Sequence, residues 1–513
     1  HTPTGFIPNQ DKGYLLVNVQ LPPAAAVSRT QQVMQEVEQI ALKTPGISHT
    51  VGISGQSILL NADAPNFGAM YLMLDEFSHR ARPELTGDAI AASLQARLQD
   101  EIPDAVVNIF GAPPIEGLGT AGGFKIIVED RGNEGLDRLQ AVADQIVAQS
   151  NDDGRASAAP GVQDVYTSFR ADTPWMRLNI DRTQARTLGV SVSDIFDTLQ
   201  VYFGSFYVND FNKFGRTWQV NVQAGQDFRE RIDDIKQLKV RNAQGGMVPL
   251  STVLSVGDAS GPVLIQRYNL YEAAAINASP KAGTSSGQAI SVLQTTAQHE
   301  VDAASPTMQT DWTELALLQL QTGNTAMYVF ILAVVLVFLV LAAQYESWSL
   351  PLAVILVVPM CLLCSIAGVQ LAHQDINIFT QIGFIVLVGL ACKNAILIVE
   401  FAKARREEGA SRKEATLDAV QLRLRPIMMT SFAFILGVVP LVVAAGAGAE
   451  MRRTLGTAVF AGMLGVTLFG IFLTPVFYYV IQWVSDLLSP AIEQAVEGSP
   501  APDNPTGIKP AAQ

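Results

Sequence analysis

The spacing of hydrophobic and polar residues changes character near residue 323. Beyond this point the chain contains five long apolar runs, and a helix needs about 20 apolar residues to cross the hydrocarbon core of a bilayer. The runs cover residues 324–343, 350–371, 376–402, 426–445 and 455–484. The sequence therefore predicts five transmembrane helices that pack as an all-α bundle.

Proline and glycine add detail to this bundle. Pro426 lies at the predicted start of the fourth helix, where its missing N–H group costs little. Small residues recur along the fifth run, at Ala458, Gly462, Gly465 and Gly470, which is typical of helices that approach one another closely. We therefore expect close helix contacts along the fifth helix.

Before residue 323, strand-like stretches alternate with amphipathic helical stretches. The predicted strands are 13–21, 47–53, 67–74 and 105–110, and the predicted helices are 28–42 and 86–100. This βαββαβ order is the split βαβ pattern. Residues 1–120 are therefore predicted to form one α+β sandwich.

A second α+β sandwich is predicted from two separated segments, 121–173 and 259–315. The first segment has a strand at 123–130, a helix at 135–149 and a strand near 162–169. The second has strand-like residues at 263–278, a helix near 286–302 and a strand near 306–312. Residues 174–258 are thus predicted to be an insertion.

The insertion contains the stretch GSFYVNDFNKFGRTWQVNV, which predicts a β-hairpin with its tip near residues 211–215. A projecting hairpin suits a contact with another protein. An ordinary surface loop explains the same pattern, and the stretch alone favours that simpler interpretation.

Composition agrees with a chain that is part membrane protein and part water-exposed protein. Hydrophobic residues make up 49% of the chain and charged residues 16%. The net charge of −13 argues against a nucleic-acid partner, which would require a basic face.

The sequence carries no signature of an enzyme or a metal site. Cys361, Cys364 and Cys392 all lie in apolar runs, and we interpret them as small packing residues. The five histidines do not cluster. There is neither a GxxxxGK[ST] phosphate loop nor a hydrolytic motif, so we expect no ATP-driven step, no cofactor and no metal.

The distribution of lysine and arginine predicts the orientation of the bundle. Residues 403–425 join the third and fourth predicted helices and carry seven of these cations, which places the connection in the cytoplasm. Residues 1–323 then lie outside, and residues 485–513 form a predicted disordered cytoplasmic tail. Arg452 and Arg453 then fall in an outside loop, whereas the positive-inside rule expects lysine and arginine in cytoplasmic loops.

An outside domain of this size needs an export signal or a preceding membrane helix. The chain begins HTPTGF, which is neither. We therefore expect a further N-terminal part.

Lys393 is the one lysine deep inside a predicted span. A lysine near a helix end can extend to the interface, but an ionisable group in mid-membrane marks a functional site by default. A buried ammonium group needs a carboxylate partner. Glu400 shares a helix face with Lys393 but lies near the cytoplasmic end, so we expect the partner on a helix outside this chain.

Arg423 and Thr430 are seven residues apart and share a face of the fourth helix. Together with Lys393 and a carboxylate, they would make a proton relay. The pattern leaves two simpler interpretations open: Arg423 as an ordinary cytoplasmic cation, and Thr430 as a threonine bonded to its own helix backbone.

Several motifs resemble one transporter family. GLACKNAILIVEFAKARREEG, RLRPIMMTS, AFILGVVPLV and AQYESWSLP closely resemble the second half of resistance-nodulation-division (RND) multidrug exporters of the AcrB and MexB type. TGFIPNQDKGYL, LGTAGGF and SFYVNDF resemble the same family, so the similarity covers essentially the whole chain.

The resemblance implies a homotrimer in the inner membrane of Gram-negative bacteria that exchanges protons for small-molecule drugs. It implies a periplasmic adaptor, an outer-membrane channel and an N-terminal half with paired aspartates. The family's relay residues match Lys393, Arg423 and Thr430, and Asn394 is a weaker candidate. The two sandwiches correspond to porter subdomains and the insertion to the docking domain, whose hairpin carries Phe206, Tyr207, Phe211 and Phe214.

The resemblance also implies a substrate pocket in the porter subdomains. Phe110 and Tyr71 match aromatic pocket positions, whereas Tyr166 and Asn108 stand where some members have arginine and phenylalanine. Val51 and Ser54 lie in the stretch His49–Ser57, which corresponds to a flexible loop. Core packing in a strand is the alternative for Phe110 and Tyr71.

Two other functions remain open at this stage. One is an RND transporter of metal ions or lipids. The other is a membrane-anchored periplasmic binding module without transport.

Overall fold

The computed structural model describes residues 3–151, 160–281, 283–323 and 325–497. These residues form two compact units. The smaller unit is Phe169–Ile265, and the larger unit consists of the described residues on either side of it.

The first part of the larger unit consists of one β-sheet and two helices. Its elements are β1 (Tyr14–Gln20), α1 (Val27–Leu42), β2 (Ile47–Ser57), β3 (Ala62–Leu74), α2 (Gly87–Glu101) and β4 (Val106–Gly111). The strands form one antiparallel sheet in the order β2–β3–β1–β4. Alternation along β1 sends Leu15, Val17 and Val19 into a core shared with α1 and α2. Leu16 therefore faces the opposite side of the sheet.

The stretch His49–Ser57, expected to be a flexible loop, is part of strand β2. It pairs with β3 through two register shifts, one of them beside Gly55, whose φ of +94° suits a bulge. The hydrogen-bonded ladder holds this stretch, and the actual connection to β3 is residues 58–61.

Three further elements precede the smaller unit: β5 (Phe124–Asp130), α3 (Leu136–Asn151) and β6 (Val162–Thr167). The smaller unit contains β7 (Thr173–Ile180), α4 (Arg182–Thr187), α5 (Val192–Leu199), β8 (Phe206–Lys213), β9 (Arg216–Val222), α6 (Ile232–Gln237), β10 (Lys239–Arg241), β11 (Met247–Pro249) and β12 (Leu254–Gly261). Its strands pair as β7 with β12, β8 with β9, and β10 with β11.

The chain then returns to the larger unit with β13 (Gln266–Tyr268), β14 (Tyr271–Pro280), α7 (Ser286–Ala304), β15 (Met308–Thr313) and α8 (Glu314–Thr322). A second sheet has the order β13–β14–β5–β15, and β6 also pairs with β14. Segments on both sides of the smaller unit therefore build one sheet.

The C-terminal part of the larger unit is helical. Its helices are α9 (Thr325–Tyr345), α10 (Leu350–Ile355), α11 (Val358–Leu371), α12 (Ile378–Glu407), α13 (Arg412–Val442) and α14 (Ala449–Glu497). Five candidate membrane spans result, because α10 and α11 together make one: Met327–Tyr345, Leu350–Leu371, Ile378–Glu407, Arg412–Val442 and Ala449–Leu487. Within the described residues, the expectation of sheet-containing α+β units plus five helices long and apolar enough to cross a membrane is confirmed.

Two details of the bundle differ from expectation. The basic connection is mostly helical, since α12 continues to Glu407 and α13 begins at Arg412. Pro426 accordingly lies inside α13 and not near its start. The cause is a capping box, in which Ser411 and Glu414 satisfy each other's backbone N–H groups and start the helix far ahead of the apolar run.

The expected tail also begins as helix. Helix α14 continues through residues 485–497, and residues 498–513 lie outside the described part of the chain.

Glycines set the spacing around α14. A Cβ atom at Gly465 would overlap Cys364 of α11, and one at Gly462 would overlap Leu387 of α12. At Gly456 it would come within 2.8 Å of Leu441 in α13. Gly470 differs, because its nearest neighbours would lie at an ordinary 3.7 Å. The close contacts expected for this helix thus occur at three of its glycines.

Backbone hydrogen bonds attach the α/β region to the bundle. The Ile376 N–H donates to the Pro3 carbonyl at 2.9 Å, and the Gly5 N–H donates to the Ile376 carbonyl at 3.2 Å. The Ile378 N–H donates to the Phe6 carbonyl at 3.0 Å. Residues 3–6 are therefore fixed to the start of α12, the helix that carries Lys393.

Candidate functional site

Helix α12 has one buried face and one open face. Leu387, Ala391 and Ile398 are at most 2% exposed and pack in the core of the bundle. Lys393 and Gly389 lie on the exposed side. Ile382, Val386 and Glu400 continue the same exposed stripe at spacings of three, four and seven residues. The open face, defined by these five residues, is a continuous strip along the helix.

Lys393 forms no ion pair and no hydrogen bond with any residue that the structure describes. A Cβ atom built at Gly389, one turn away, would meet nothing within 4 Å. Gly437 of α13 has the same open space around it. The lysine therefore faces room for further structure and not a carboxylate of the described residues.

Helix α13 also presents a stripe of regularly spaced residues. Arg423, Pro426, Thr430, Ala433 and Gly437 recur at intervals of three and four. All of them are exposed except Arg423, which is half-buried. The expected common face of Arg423 and Thr430 thus contains small residues as well, which permits close approach of another helix.

Arg423 stacks on an aromatic ring of α12. Its guanidinium carbon lies 4.8 Å from the centroid of the Phe401 ring. Its Nε–H is buried and has no hydrogen-bond acceptor among the described residues. This cation is held against the helix pair and still has an unused donor.

Thr430 bonds to its own helix. The Oγ1–H donates to the Ile427 carbonyl at 3.1 Å, in accordance with the simpler interpretation of this residue. The hydroxyl oxygen retains acceptor capacity on the exposed side. The contact seen here therefore does not use up the hydroxyl.

Asn394 links the two helices. It is 7% exposed, and its Nδ2–H donates to Oγ of Ser431 at 3.2 Å. Ser431 is 2% exposed and was not singled out from the sequence, although it neighbours Thr430. Successive residues on a helix point about 100° apart, so Asn394 is buried while Lys393 is exposed.

These two contacts fix the register of the antiparallel pair. Asn394 lies opposite Ser431, and Phe401 lies opposite Arg423. Lys393 and Thr430 are consequently at about the same level, while Arg423 lies two turns nearer the α12–α13 connection. The structure records no contact among the three within its described residues.

A double-mutant cycle checks the Asn394–Ser431 link. Each single alanine substitution should lower the free energy of unfolding by about 1 kcal/mol, because it leaves a buried polar partner unpaired. The double variant should be less destabilised than the sum of the two, which denaturation in detergent would measure. Strict additivity would show that the hydrogen bond contributes nothing. Asn394→Ala combined with Thr467→Ala is the control, since Thr467 bonds within α14.

Ion pairs tie the helices together at the end of the bundle that contains the α12–α13 connection. Asp486 of α14 contacts Arg406 at 3.0 Å and Arg412 at 3.4 Å. Arg405 contacts Asp418 at 2.9 Å. Several of the arginines expected to mark the cytoplasmic side are thus also structural links among α12, α13 and α14.

The aromatic pocket candidates meet on one face of the first sheet. Leu16 of β1 lies opposite Tyr71 of β3 and Phe110 of β4, and Val51 of β2 lies opposite Tyr71. These four residues form a row on the side away from α1 and α2. Asn108 lies two residues from Phe110 and on the same face.

Tyr166 joins this row from the second sheet. Leu16, Leu59 and Phe110 form a buried cluster, and Tyr71 and Tyr166 pack against it. Burial, followed by the charges of Asp164 and Glu314, raises the pKa of Tyr166 above its ordinary value. The ring therefore presents a neutral hydroxyl group.

Ser54 does not belong to this cluster. It pairs with Gly68, which lies opposite Val19 of the helix-facing core. Ser54 thus lies on the other face of the sheet from Phe110. Val51 is in the row, but at its edge and 52% exposed.

A cavity of about 590 Å³ adjoins Phe110. It lies between α2 and β4 on one side and β6 and β14 on the other, and its walls include Asp88, Gln163, Asp164 and Lys281. Cavities of 300–1,000 Å³ accommodate drug-sized ligands. Phe110 is therefore both a member of the buried cluster and part of a wall open to a ligand.

The predicted hairpin is present in the smaller unit. Strands β8 and β9 pair with Phe211 opposite Trp218 and turn through Phe214 and Gly215, both with positive φ. Phe206, Tyr207, Phe211 and Phe214 are exposed, Phe214 by 82%. Trp218 is a fifth exposed aromatic that the alternating pattern of β9 could have indicated.

Comparisons with known proteins show which family the chain matches. The family model described as "AcrB/AcrD/AcrF family" matches residues 1–482. Multidrug resistance protein MdtF of Escherichia coli K12 is 36% identical over 485 residues, which cover 94% of this chain and 46% of MdtF. Multidrug export protein AcrF of the same strain is 36% identical over 482 residues, with the same two coverages.

A third relative comes from another genus. Multidrug/solvent efflux pump membrane transporter MepB of Pseudomonas putida is 35% identical over 482 residues, which cover 94% of this chain and 45% of MepB. The chain therefore spans about half the length of the curated relatives it matches.

Proposed function

This chain belongs to the AcrB/AcrD/AcrF family of RND multidrug transporters, and we propose that it is the C-terminal half of a drug/proton antiporter. The complete transporter would expel hydrophobic and amphiphilic compounds and draw its energy from the proton motive force. The relatives are efflux transporters and not enzymes, and the chain is likewise not an enzyme.

The observation that carries this proposal is the open face of α12. An ammonium group in mid-membrane is costly unless it is paired. Lys393 has no partner in the described part of this chain, and Gly389 and Gly437 leave space beside it. An N-terminal half with two aspartates on one helix would fill that space and supply the missing charge.

The proposed cycle follows from this pairing. With the aspartates ionised, Lys393 pairs with them and holds the helices in one arrangement. Protonation removes their charge and releases Lys393, so a second arrangement becomes favoured. Arg423 and Thr430, on the exposed stripe of α13, are the side chains that would exchange hydrogen bonds with the site as it changes.

The α/β units would be the porter subdomains that bind and release the drug. The sheet order β2–β3–β1–β4, with α1 and α2 in the connections, supports assigning the first unit to a split βαβ sandwich. Its aromatic row of Tyr71, Phe110 and Tyr166 would supply the apolar contacts to the substrate. The hydrogen bonds between residues 3–6 and 376–378 give a direct route from α12 to these units.

The proposed setting is the inner membrane of a Gram-negative bacterium, with the α/β units in the periplasm. The transporter would be a homotrimer that works with a periplasmic adaptor and an outer-membrane channel. The exposed hairpin aromatics of the smaller unit are suited to such protein contacts.

Drug export by the complete protein tests this proposal. The full-length gene would be expressed in a Gram-negative host that lacks its own major pumps, and retention of a lipophilic dye would be measured. We expect several-fold lower retention than in the empty host, and a protonophore should restore full retention. Unchanged retention, with the protein present in the membrane and supplied with an adaptor and channel, would contradict drug efflux.

A further inference from the structure

Glu400 shares the open face of α12 with Lys393. It lies seven residues after Lys393, about 10 Å farther along the helix axis. It also lies inside the candidate span Ile378–Glu407, on the side that leads to the α12–α13 connection. The two opposite charges therefore occupy one strip of a membrane helix, two turns apart.

Glu400 differs from the charged residues that follow it on α12, all of which have ion pairs. Lys403 lies 3.8 Å from Glu407, Arg405 pairs with Asp418, and Arg406 pairs with Asp486. Glu400 has no ion pair and no hydrogen bond with any residue in the described ranges. An unpaired carboxylate in an apolar span is energetically costly, so we expect Glu400 to have a function.

Its neighbour on α9 is a tyrosine with an unused hydroxyl group. Tyr345 is 5% exposed, lies within electrostatic reach of Glu400, and has no hydrogen-bond partner for its hydroxyl among the described residues. Lys403 donates to the Tyr345 carbonyl at 3.3 Å, which fixes the end of α9 against α12. A hydroxyl group can donate or accept a hydrogen bond, so Tyr345 can respond to a change of charge at Glu400.

We propose that Glu400 is a proton-carrying residue between the Lys393 site and the cytoplasm. This inference rests on the proposed antiport function and on the proposed orientation. A protonated aspartate of the N-terminal half loses its proton to water between the helices, and this water passes a proton to the Glu400 carboxylate, where an O–H bond forms. Glu400 then releases the same proton to water at the cytoplasmic end and returns to the carboxylate.

The geometry explains why a residue is needed at this place. Lys393 is near the middle of α12, whereas the ion-paired cytoplasmic end begins at Lys403. A proton leaving the middle of the span must cross this interval of apolar helix. Glu400 lies within it, on the strip that the N-terminal half would cover and on which Lys393 also lies.

The test is Glu400→Gln in the complete transporter, reconstituted in vesicles with a pH gradient. Glutamine keeps the shape but cannot carry a proton. The maximal rate of drug-coupled proton flux should fall at least about tenfold, while the KM for the drug stays unchanged. Glu400→Asp should recover part of the rate, which a purely structural role of the side chain would not predict.

Two variants measured in parallel keep the outcomes distinct. Glu407→Gln, one further acid on the same helix, should retain the wild-type rate. If Lys393→Ala abolishes flux and Glu400→Gln does not lower it, the role of Glu400 is wrong and the antiport function stands. If neither variant lowers flux, both Lys393 and Glu400 lie outside the proton path and the inference is wrong. If the wild type itself shows no drug-coupled proton flux, the antiport function is wrong.

Discussion

Replacement of Lys393 by alanine should abolish drug efflux and leave the amount of transporter in the membrane unchanged. The side chain is exposed in this half and contacts no described partner, so its loss breaks no packing within the bundle. In the complete protein it would remove the counter-charge of two buried carboxylates. Without a counter-charge, the two buried carboxylates would stay protonated, and the transport cycle would stop. We expect the initial rate of dye efflux to fall at least about a hundredfold, because the proposed charge pairing would be needed in every turnover.

The control is Lys413→Ala, which removes an exposed lysine near the start of α13. It should pump like the wild type. Immunoblots and cross-linking of the trimer would establish equal amounts and assembly of both variants. Wild-type efflux from Lys393→Ala under these conditions would exclude Lys393 from the relay.

A single methyl group at Gly465 should destabilise the bundle strongly. A Cβ atom there would overlap both Cβ and Sγ of Cys364, and a Cβ atom cannot swing aside as the end of a long side chain can. Helices α11 and α14 would have to separate. Overpacking of this kind costs about 1–3 kcal/mol of unfolding free energy.

Gly470→Ala is the matched control on the same helix. Its new Cβ atom would meet only ordinary contacts at 3.7 Å, so alanine should be neutral or slightly stabilising. Thermal unfolding of the purified transporter in detergent would give the melting temperatures of the Gly465→Ala and Gly470→Ala variants. Equal melting temperatures for the two variants would show that the α11–α14 contact tolerates the methyl group.

The membrane spans could be predicted well because the bilayer imposes a length on any apolar helix. The same argument failed for the start of α13, since hydropathy measures only the part of a helix that lies in hydrocarbon. The capping signal of Ser411 and Glu414 was present in the sequence and marks the true start. Local hydrogen-bonding chemistry, and not hydropathy, decided this boundary.

In the α/β region, the alternation of apolar and polar residues predicted where the strands lie but not where they end. Strand β2 continues beyond residue 53 to Ser57, because a bulge near Gly55 lets the ladder resume. The misplacement of Ser54 was avoidable. Val51 and Ser54 are three residues apart, and residues at odd spacing in a strand point to opposite faces.

The sequence placed Lys393 in mid-span and Arg423 and Thr430 on one face. It could not show which face of α12 is open, since that depends on how α11, α13 and α14 pack around it. The Asn394–Ser431 hydrogen bond joins residues 37 positions apart and likewise depends on tertiary structure. Such facts become visible only when the helices are assembled.

The central claim is that this chain supplies Lys393 to a drug/proton antiporter completed by an N-terminal half. The most direct measurement uses the full-length protein, purified from its own membranes and reconstituted in vesicles with a pH gradient. Addition of drug should speed the collapse of the gradient for the wild type and not for Lys393→Ala. Drug movement at an equal rate without a gradient, or coupled flux in Lys393→Ala, would contradict the account.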